Sequence, residues 1–420
     1  MKNKYHTLLK RLAYTLAVLI VYHFASLIPL PGINAEATRL IAEIPAFSFF
    51  NIFAGGNYGQ LSFLSVGLMA FINAQIVVQI LEANVSKTVT EWSKSGETGR
   101  HKLDRLLKII TLCFGTLQAV AILLGLNALS KDKLFVGNYW LSFITNLVLL
   151  VAGAFVTMWL ADRITLDGLG NGSAVIITEN IIAQTQSQFS KAELTTTAIL
   201  ILAAVFFIAM VIMAYVNNSE LRLRVYYTSR DYYENQELYI PFRLLPSSIM
   251  PVVFASGVMT IPQILAFFFS SISSAPITEL LLYISSLNNS VGILIYSALI
   301  IGFSFLYSDI QLNPELLSKN LQKQEAYIGN VYPGTSTEQY LHRILNRFSF
   351  FSGIFLVIVA VLPLIITSWL PSRFMSLGMI GSSYIIVISV IVEMVKQAKG
   401  LVQKNSYTNI LTTNFKFSKK

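Results

Sequence analysis

The run YWLSFITNLVLLVAGAFVTMWL, residues 139–160, holds no charged side chain across 22 positions. A hydrocarbon core about 30 Å thick takes roughly 20 apolar residues in helical form. This run is long enough to cross a bilayer, and it does not stand alone. Comparable stretches lie at about 12–29, 61–81, 107–128, 173–185, 195–216, 248–269, 290–308, 348–369 and 376–395, making ten, two of them marginal. Composition agrees. Hydrophobic residues make up 54% of the 420 and charged residues 12%, about half the soluble share of roughly 25%. The expectation is an all-α polytopic membrane protein with ten transmembrane helices. The first stretch follows Lys2, Lys4, Lys10 and Arg11, as a signal peptide would. No small-x-small cleavage site follows it, so it reads as a retained helix.

Lysine and arginine in the loops set the orientation. With the N-terminus inside, 25 of the 30 basic residues fall on the cytoplasmic side. Only Arg39, Lys131, Lys133, Lys191 and Arg373 fall outside. Both termini are therefore expected in the cytoplasm. The net charge of +9 needs no nucleic-acid partner, because it is mostly this bias. The basic tail from Lys396 to Lys420 adds the possibility of contact with anionic membrane lipids.

Two segments make poor simple spans. In IPAFSFFNIFAGGNYGQ (44–60), Pro45 and the pair Gly55-Gly56 break an apolar, aromatic run too short to cross. It suits a re-entrant segment, tolerated at membrane depth only inside protein or beside a water-filled cavity; the alternative is an external amphipathic loop. In GLGNGSAVIITENIIAQT (168–185), three glycines lead into a short helix with Thr178, Glu179 and Asn180 in mid-span. Such residues normally face a bundle interior or an aqueous cavity. No strand precedes the glycines, so they make a weak nucleotide motif. The largest cytoplasmic segments are 82–107, 217–247 and 309–347. The last two read either as solvated connectors or as docking surfaces.

Reactive chemistry is missing from the pattern. His6, His23, His101 and His342 are scattered, without metal-ligand spacing, and Cys113 is the single cysteine. No nucleophile elbow, zinc-binding H-E-x-x-H or phosphate-loop lysine occurs. The chain is not expected to be an enzyme or to hold a cofactor or metal. A coupled transporter usually needs several intramembrane ionisable groups, and Glu179 stands almost alone. A passive conduit needs no reactive groups in its walls. A small-solute transporter using Glu179 and a non-conducting scaffold or insertase are the other readings.

Six ordered motifs sharpen this. FNIFAGG (50–56) resembles the plug of SecY, the channel subunit of the Sec protein translocase, and SVGLMAFINAQIVVQIL (65–81) resembles its second helix. SGETGRHKLDR (95–105) is similar to that family's acidic-Gly-Arg-Lys loop, and DRITLDGLGNGSAVII (162–177) to its G-x-GNG lead into helix five. PVVFASGVMTIP (251–262) resembles helix seven, and NPELLSKNLQKQEAYI (313–328) the connector between helices eight and nine. The resemblance covers about residues 10–400.

The resemblance implies two pseudo-symmetric five-helix halves, 1–190 and 191–420. An hourglass channel would lie between them, with a lateral gate to lipid. It implies an apolar pore ring of Ile72, Ile76, Ile177, Ile181, Val253 and Ile386. Each isoleucine pair at i,i+4 shares a helix face. It implies a plug at about 46–59, including Phe50, Asn51, Phe53, Gly55 and Gly56, and polar gate residues Gln118 and Thr260. A SecA-type ATPase motor would dock on 217–247 and 309–347, through Arg222, Arg224, Arg230, Lys319, Lys323 and Tyr332. Small SecE-like and SecG-like membrane subunits, a preprotein substrate and the bacterial plasma membrane complete the expectation. Three departures point to the accessory SecY of streptococci and staphylococci, which exports serine-rich glycosylated adhesins. Tyr332 stands where the family has a basic residue before Pro-Gly. A leucine stands beside Arg222 where the family has a basic pair. Thr178-Glu179-Asn180 suggests a more polar channel wall.

Overall fold

The computed structural model describes residues 2–34, 61–130, 134–191, 207–208, 210–227, 239–246, 250–270, 275–287, 289–329, 331–368, 383 and 386–402. The first half of the chain gives α1 (Lys2–Ser26), α2 (Gly67–Ile80), α3 (Lys87–Lys94), α4 (Glu97–Leu129), α5 (Tyr139–Asp167) and α6 (Gly172–Lys191). The second gives β1 (Glu220–Tyr227), β2 (Tyr239–Arg243), α7 (Met250–Ser270), α8 (Ala275–Ser285), α9 (Ser290–Leu312), α10 (Pro314–Lys323), β3 (Ala326–Ile328) and α11 (Thr335–Ser368). Residues 210–218 and 386–402 are also helical.

Five segments are long and apolar enough to cross a membrane: His6–Ser26, Glu97–Ala128, Tyr139–Asp167, Ser290–Lys323 and Thr335–Ile365. A sixth results if α2 and α3 form one bent span. Gly172–Ala183, Met250–Ala266 and Pro276–Ser285 are shorter apolar helices. The expected spans at 195–216 and 376–395 lie partly outside the described residues, and the plug at 46–59 lies wholly outside them. The outward faces are apolar. Leu16, Ile20, Val21 and Phe24 on α1, and Leu141, Ile144 and Val148 on α5, are exposed. Such rows suit hydrocarbon as solvent, since soluble monomers rarely show large contiguous apolar patches.

Local signals set the helix ends. Asn138 caps α5 by accepting a hydrogen bond from the Trp140 amide at 3.2 Å. Phe135, Tyr139, Trp140 and Phe143 gather around that end, as aromatics do at a membrane interface. At the other face, a π-helical turn, Leu81–Val85, ends α2, and Ser86 is extended. Asn313 sits at φ 34° between α9 and α10, its side chain accepting from the Leu316 amide, with Pro314 in the first turn.

Small residues let the helices close on one another, the usual device where lipid offers no hydrophobic drive between them. A β-carbon added at Gly153 would lie 1.8 Å from the Phe63 carbonyl oxygen, and one at Gly172 would lie 1.8 Å from that of Ala161. A β-carbon at Gly67, which opens α2, would lie 3.0 Å from the Gly153 carbonyl oxygen, so α2, α5 and α6 pack through backbone.

The connectors are more structured than the sequence suggests. The segment 82–107 is no simple loop: it holds α3, and α4 begins ten residues before the apolar run expected at 107. Segments 217–247 and 309–347 fold together. Their strands form one antiparallel sheet in the order β2-β1-β3, with Leu223 opposite Ile240 and Tyr226 opposite Tyr327. Leu223, Val225, Phe242, Leu321, Ile328, Leu341 and Leu345 form a small core beneath it. The helix α8 was not foreseen either; it packs on α7, where Gln263 Nε2 donates to the Ser285 carbonyl.

Gly153→Leu is expected to lower the thermal midpoint in detergent or to prevent assembly. Overpacking a core typically costs about 1–3 kcal/mol, and here the clash is with backbone. Gly302→Ala, whose added carbon would meet nothing within 4 Å, should be neutral or mildly stabilising. Equal midpoints for the two variants would contradict the close approach of these helices.

Candidate functional site: the seam between α2, α7 and α9

The six residues assigned to the ring come from α2, α6, α7 and helix 386–402. All six are buried, and all six belong to one apolar cluster. The geometry therefore brings together residues up to 314 positions apart in the chain. α7 crosses α2 at Gly257. A β-carbon there would lie 3.0 Å from Asn73 Oδ1, 3.0 Å from Ile76 Cδ1 and 3.1 Å from Ile72 Cγ2. Absence of a side chain at Gly257 is what seats α7 against the isoleucine face.

Toward the end of α2 that leads into α3, the same seam continues against α9. Ile76, Gln79 and Ile80 face Phe254, Phe303, Leu306, Tyr307 and Ile310 around a cavity of only ≈ 10 Å³. That is barely room for one water. Phe254 meets Phe303 edge-on at 5.9 Å and Tyr307 at 6.0 Å. The seam is shut.

The two expected gate residues differ. Thr260 is buried but satisfied, donating to the Gly257 carbonyl at 2.6 Å. Gln118 is 0% exposed, and neither its Oε1 nor its Nε2 has a hydrogen-bond partner. Sequence reasoning missed two more. Asn73, 1% exposed, has both polar side-chain atoms unpartnered, and Gln263 has an unpartnered Oε1. A lone asparagine in an apolar run was the available signal. Each buried polar group left unsatisfied costs about 1–3 kcal/mol. With α2, α4 and α7 packed on one another, these costs weaken the closed seam.

The polar triplet of the fifth span does not line a wall beside Ile177 and Ile181. Glu179 Oε1 lies 2.7 Å from His23 Nδ1, and Tyr22 donates to Asn180 Oδ1 at 3.0 Å. Thr178 donates to the Ala174 carbonyl. At about 100° per residue, position 179 lies roughly 200° around the helix from position 177. Glu179 and Asn180 tie α6 to α1 instead, while Thr178 bonds within its own helix. The expected polar channel wall is corrected accordingly.

The described docking residues fall on or beside the platform built by segments 217–247 and 309–347. The Arg222 guanidinium stacks over Tyr239 at 4.8 Å and lies 3.6 Å from Glu220. Tyr226 stacks on Tyr327 at 5.5 Å. Arg224 lies on β1, Lys323 is exposed, and Tyr332 is 83% exposed. Arg230 lies outside the described residues, as do Phe50, Asn51, Phe53, Gly55 and Gly56. Lys319 belongs to an ion pair: the Glu315 carboxylate takes 2.6 Å and 3.0 Å contacts from Lys319 and Lys94. Those two hydrogen bonds hold its carboxyl below the usual carboxylate range. Lys94 ends α3 and Glu315 opens α10, so this contact bridges the helices that follow α2 and α9 on either side of the seam.

With this geometry, comparison with known proteins is informative. The SecY family profile matches residues 62–395. The chain belongs to the SecY family. Protein translocase subunit SecY 2 of Lactobacillus kefiranofaciens is 35% identical, covering 95% of this chain and 99% of its own. SecY 1 of the same organism is 34% identical, covering 96% of each. A solved structure described as a protein-conducting channel superposes with TM-score 0.64 at 13% identity, over 94% of this chain and 92% of that one. A SecY structure described in terms of a plug domain that stabilises its closed state gives TM-score 0.62 at 12% identity, with the same coverage. At these identities the likeness shows the fold, which is that of the SecY and Sec61 channels.

Gln118→Leu and Asn73→Leu should each stabilise the closed seam, raising the thermal midpoint by the equivalent of about 1–3 kcal/mol. Thr260→Val should not, because it removes a satisfied bond. A fall in midpoint for both Leu variants would mean that the amides are paired. The Lys94–Glu315 contact has a pH sign. Its carboxyl is held low, so the bridge is present at neutral pH and is lost only as pH falls below the ordinary carboxylate range. Crosslinking between Lys94→Cys and a cysteine on α10 is the control for proximity; an amine-carboxyl zero-length crosslink of the native pair should disappear over that acid range.

Proposed function

We propose that this SecY-family chain is the channel subunit of a protein translocase and conducts unfolded preproteins across the plasma membrane. The observation that carries the proposal is the convergence of Ile72, Ile76, Ile177, Ile181, Val253 and Ile386 from four separate helices in one cluster. It lies beside a seam that is closed but polar-flawed. A passing chain carries peptide groups that cost several kcal/mol each if left unsatisfied in hydrocarbon. Water-filled funnels avoid that cost on either side of the ring. A single apolar constriction still blocks ions by dewetting. The halves 1–190 and 191–420 would part along α2 against α7 and α9. An apolar client segment then leaves sideways, gaining roughly 0.3–0.6 kcal/mol per Leu, Ile or Phe. Segment 46–59 serves as the plug of the external funnel, and both termini lie in the cytoplasm.

No energy source is proposed within the chain. A SecA-type ATPase motor docks on the platform of β1, β2, β3 and α10, and small SecE-like and SecG-like subunits complete the complex. The accessory subtype, with serine-rich adhesins as clients, rests on Tyr332 in place of a basic residue and on the single arginine Arg222 beside Leu221. The near-equal identities to SecY 2 and SecY 1 of one organism favour neither subtype. The loss of the polar wall removes one argument for it.

In a Cys113→Ser background, Ile72→Cys, Ile181→Cys and Ile386→Cys should each crosslink to a preprotein stalled in transit. Labelling of all three only by lipid-phase reagents while export proceeds would remove the ring. Tyr332→Arg should improve pairing with a general SecA motor severalfold in vesicle export. If the native chain already works equally well with that motor, the accessory reading fails.

A further inference from the structure

We propose that a cavity beneath α3 receives the basic side chains that flank a client's apolar segment on its cytoplasmic side. The proposal rests on the translocase reading and names a subsite of it. The cavity measures ≈ 420 Å³. Its polar lining comes from Gln75, Gln79 and Glu82 at the end of α2, Ser93 on α3, and Arg100 and Asp104 at the start of α4. Gln79 also lines the seam against Phe254 and Phe303, so the two spaces share one wall. From Ile76 in the ring to Glu82 is six residues, about 9 Å along a helix axis. An apolar segment lodged in the seam therefore leaves its cytoplasmic flank beside this cavity.

The chemistry of the lining selects a cation. Two carboxylates and one guanidinium leave an excess of negative charge. Glu82 is half-buried, and among the described residues no basic group pairs with it or with Asp104. A half-buried carboxylate without a counter-charge loses hydration that an incoming cation restores. Gln75, Gln79 and Ser93 add acceptors for the several N–H groups of a lysine or arginine. A phosphate headgroup would meet two like charges. A divalent metal is disfavoured by Arg100 in the wall, and among the described residues no group of three ligands is present. Basic residues are also what a membrane segment keeps on its cytoplasmic side. The cavity thus supplies a contact for the residues that set a client's orientation.

The test uses vesicles containing the complete translocase and two clients that differ only in their flank, Lys-Arg or Gln-Gln. Glu82→Gln and Asp104→Asn should each lower export of the basic-flank client by up to about fivefold, the upper end for an exposed charge pair, with the larger loss at half-buried Glu82. Export of the Gln-Gln client should be unchanged. Glu82→Arg should in turn favour a client with an Asp-Asp flank. Equal losses for both clients, or full discrimination retained in the Glu82→Gln/Asp104→Asn double variant, would overturn the proposal. A second readout does not depend on rates. In the Cys113→Ser background, Glu82→Cys should form a disulfide with a cysteine placed in the flank of a stalled client, and its absence at any flank position overturns the contact. If native vesicles move neither client, the translocase reading itself falls; if they move both and the variants do not discriminate, only the cavity's role falls.

Discussion

The structure depends on one contact, the crossing of α7 over α2 at Gly257. No β-carbon intervenes, so the isoleucine face of α2 meets the α7 backbone directly. Membrane helices gain little from burying apolar surface against each other, because lipid is equally apolar, and their association rests on close packing. A seam made this way holds by fit. It contrasts with the packing of α2, α5 and α6, where small residues at Gly67, Gly153 and Gly172 put backbone against backbone with no polar flaw described beside Gly172. Under the proposed function, the first contact opens for a client, and the second keeps its half of the molecule rigid meanwhile.

The polar residues buried near the seam fit that division. Asn73, Gln118 and Gln263 carry side-chain atoms without partners, an expensive arrangement in a core. Where a surface must separate, the cost has a use, since it narrows the gap between closed and open states. Several other intramembrane polar groups are satisfied locally, although Asn146 Oδ1 on α5 is also without a partner. Thr157, Thr178 and Thr185 donate back to the preceding turn, and Tyr22 and His23 serve Asn180 and Glu179.

Much of this was legible in the sequence, for physical reasons that vary by element. The span at 139–160 was plain because hydrocarbon imposes length and apolarity on a helix regardless of neighbours. The pairs Ile72/Ile76 and Ile177/Ile181 were readable as shared faces because helical periodicity is local, although their common cluster followed only from resemblance. Glu179 was misplaced because periodicity shows which residues share a face but not which face looks inward. His23, more than 150 residues away, decides that. The sheet of β1, β2 and β3 was invisible because its strands come from segments about 100 residues apart, and their pairing depends on the small core around Leu223 and Leu341. Gly257 and Asn73 were quoted within motifs, yet nothing local revealed that they touch.

The bridge from Lys94 to Glu315 gives the seam two unlike ends. Deep in the membrane, α2 and α7 meet through dry, short-range packing that salt does not reach. At the other mouth, α3 and α10 meet through side chains that are half exposed, and exposed charges feel one another only over a Debye length of about 8 Å at physiological ionic strength. Any cationic group pressed against that mouth competes for the same carboxylate. Under the proposed function and orientation, the closed state resembles a zip with a weak first tooth: it would begin to yield at its solvent-exposed charged end, and its tight stretch would come under strain only after that end had let go.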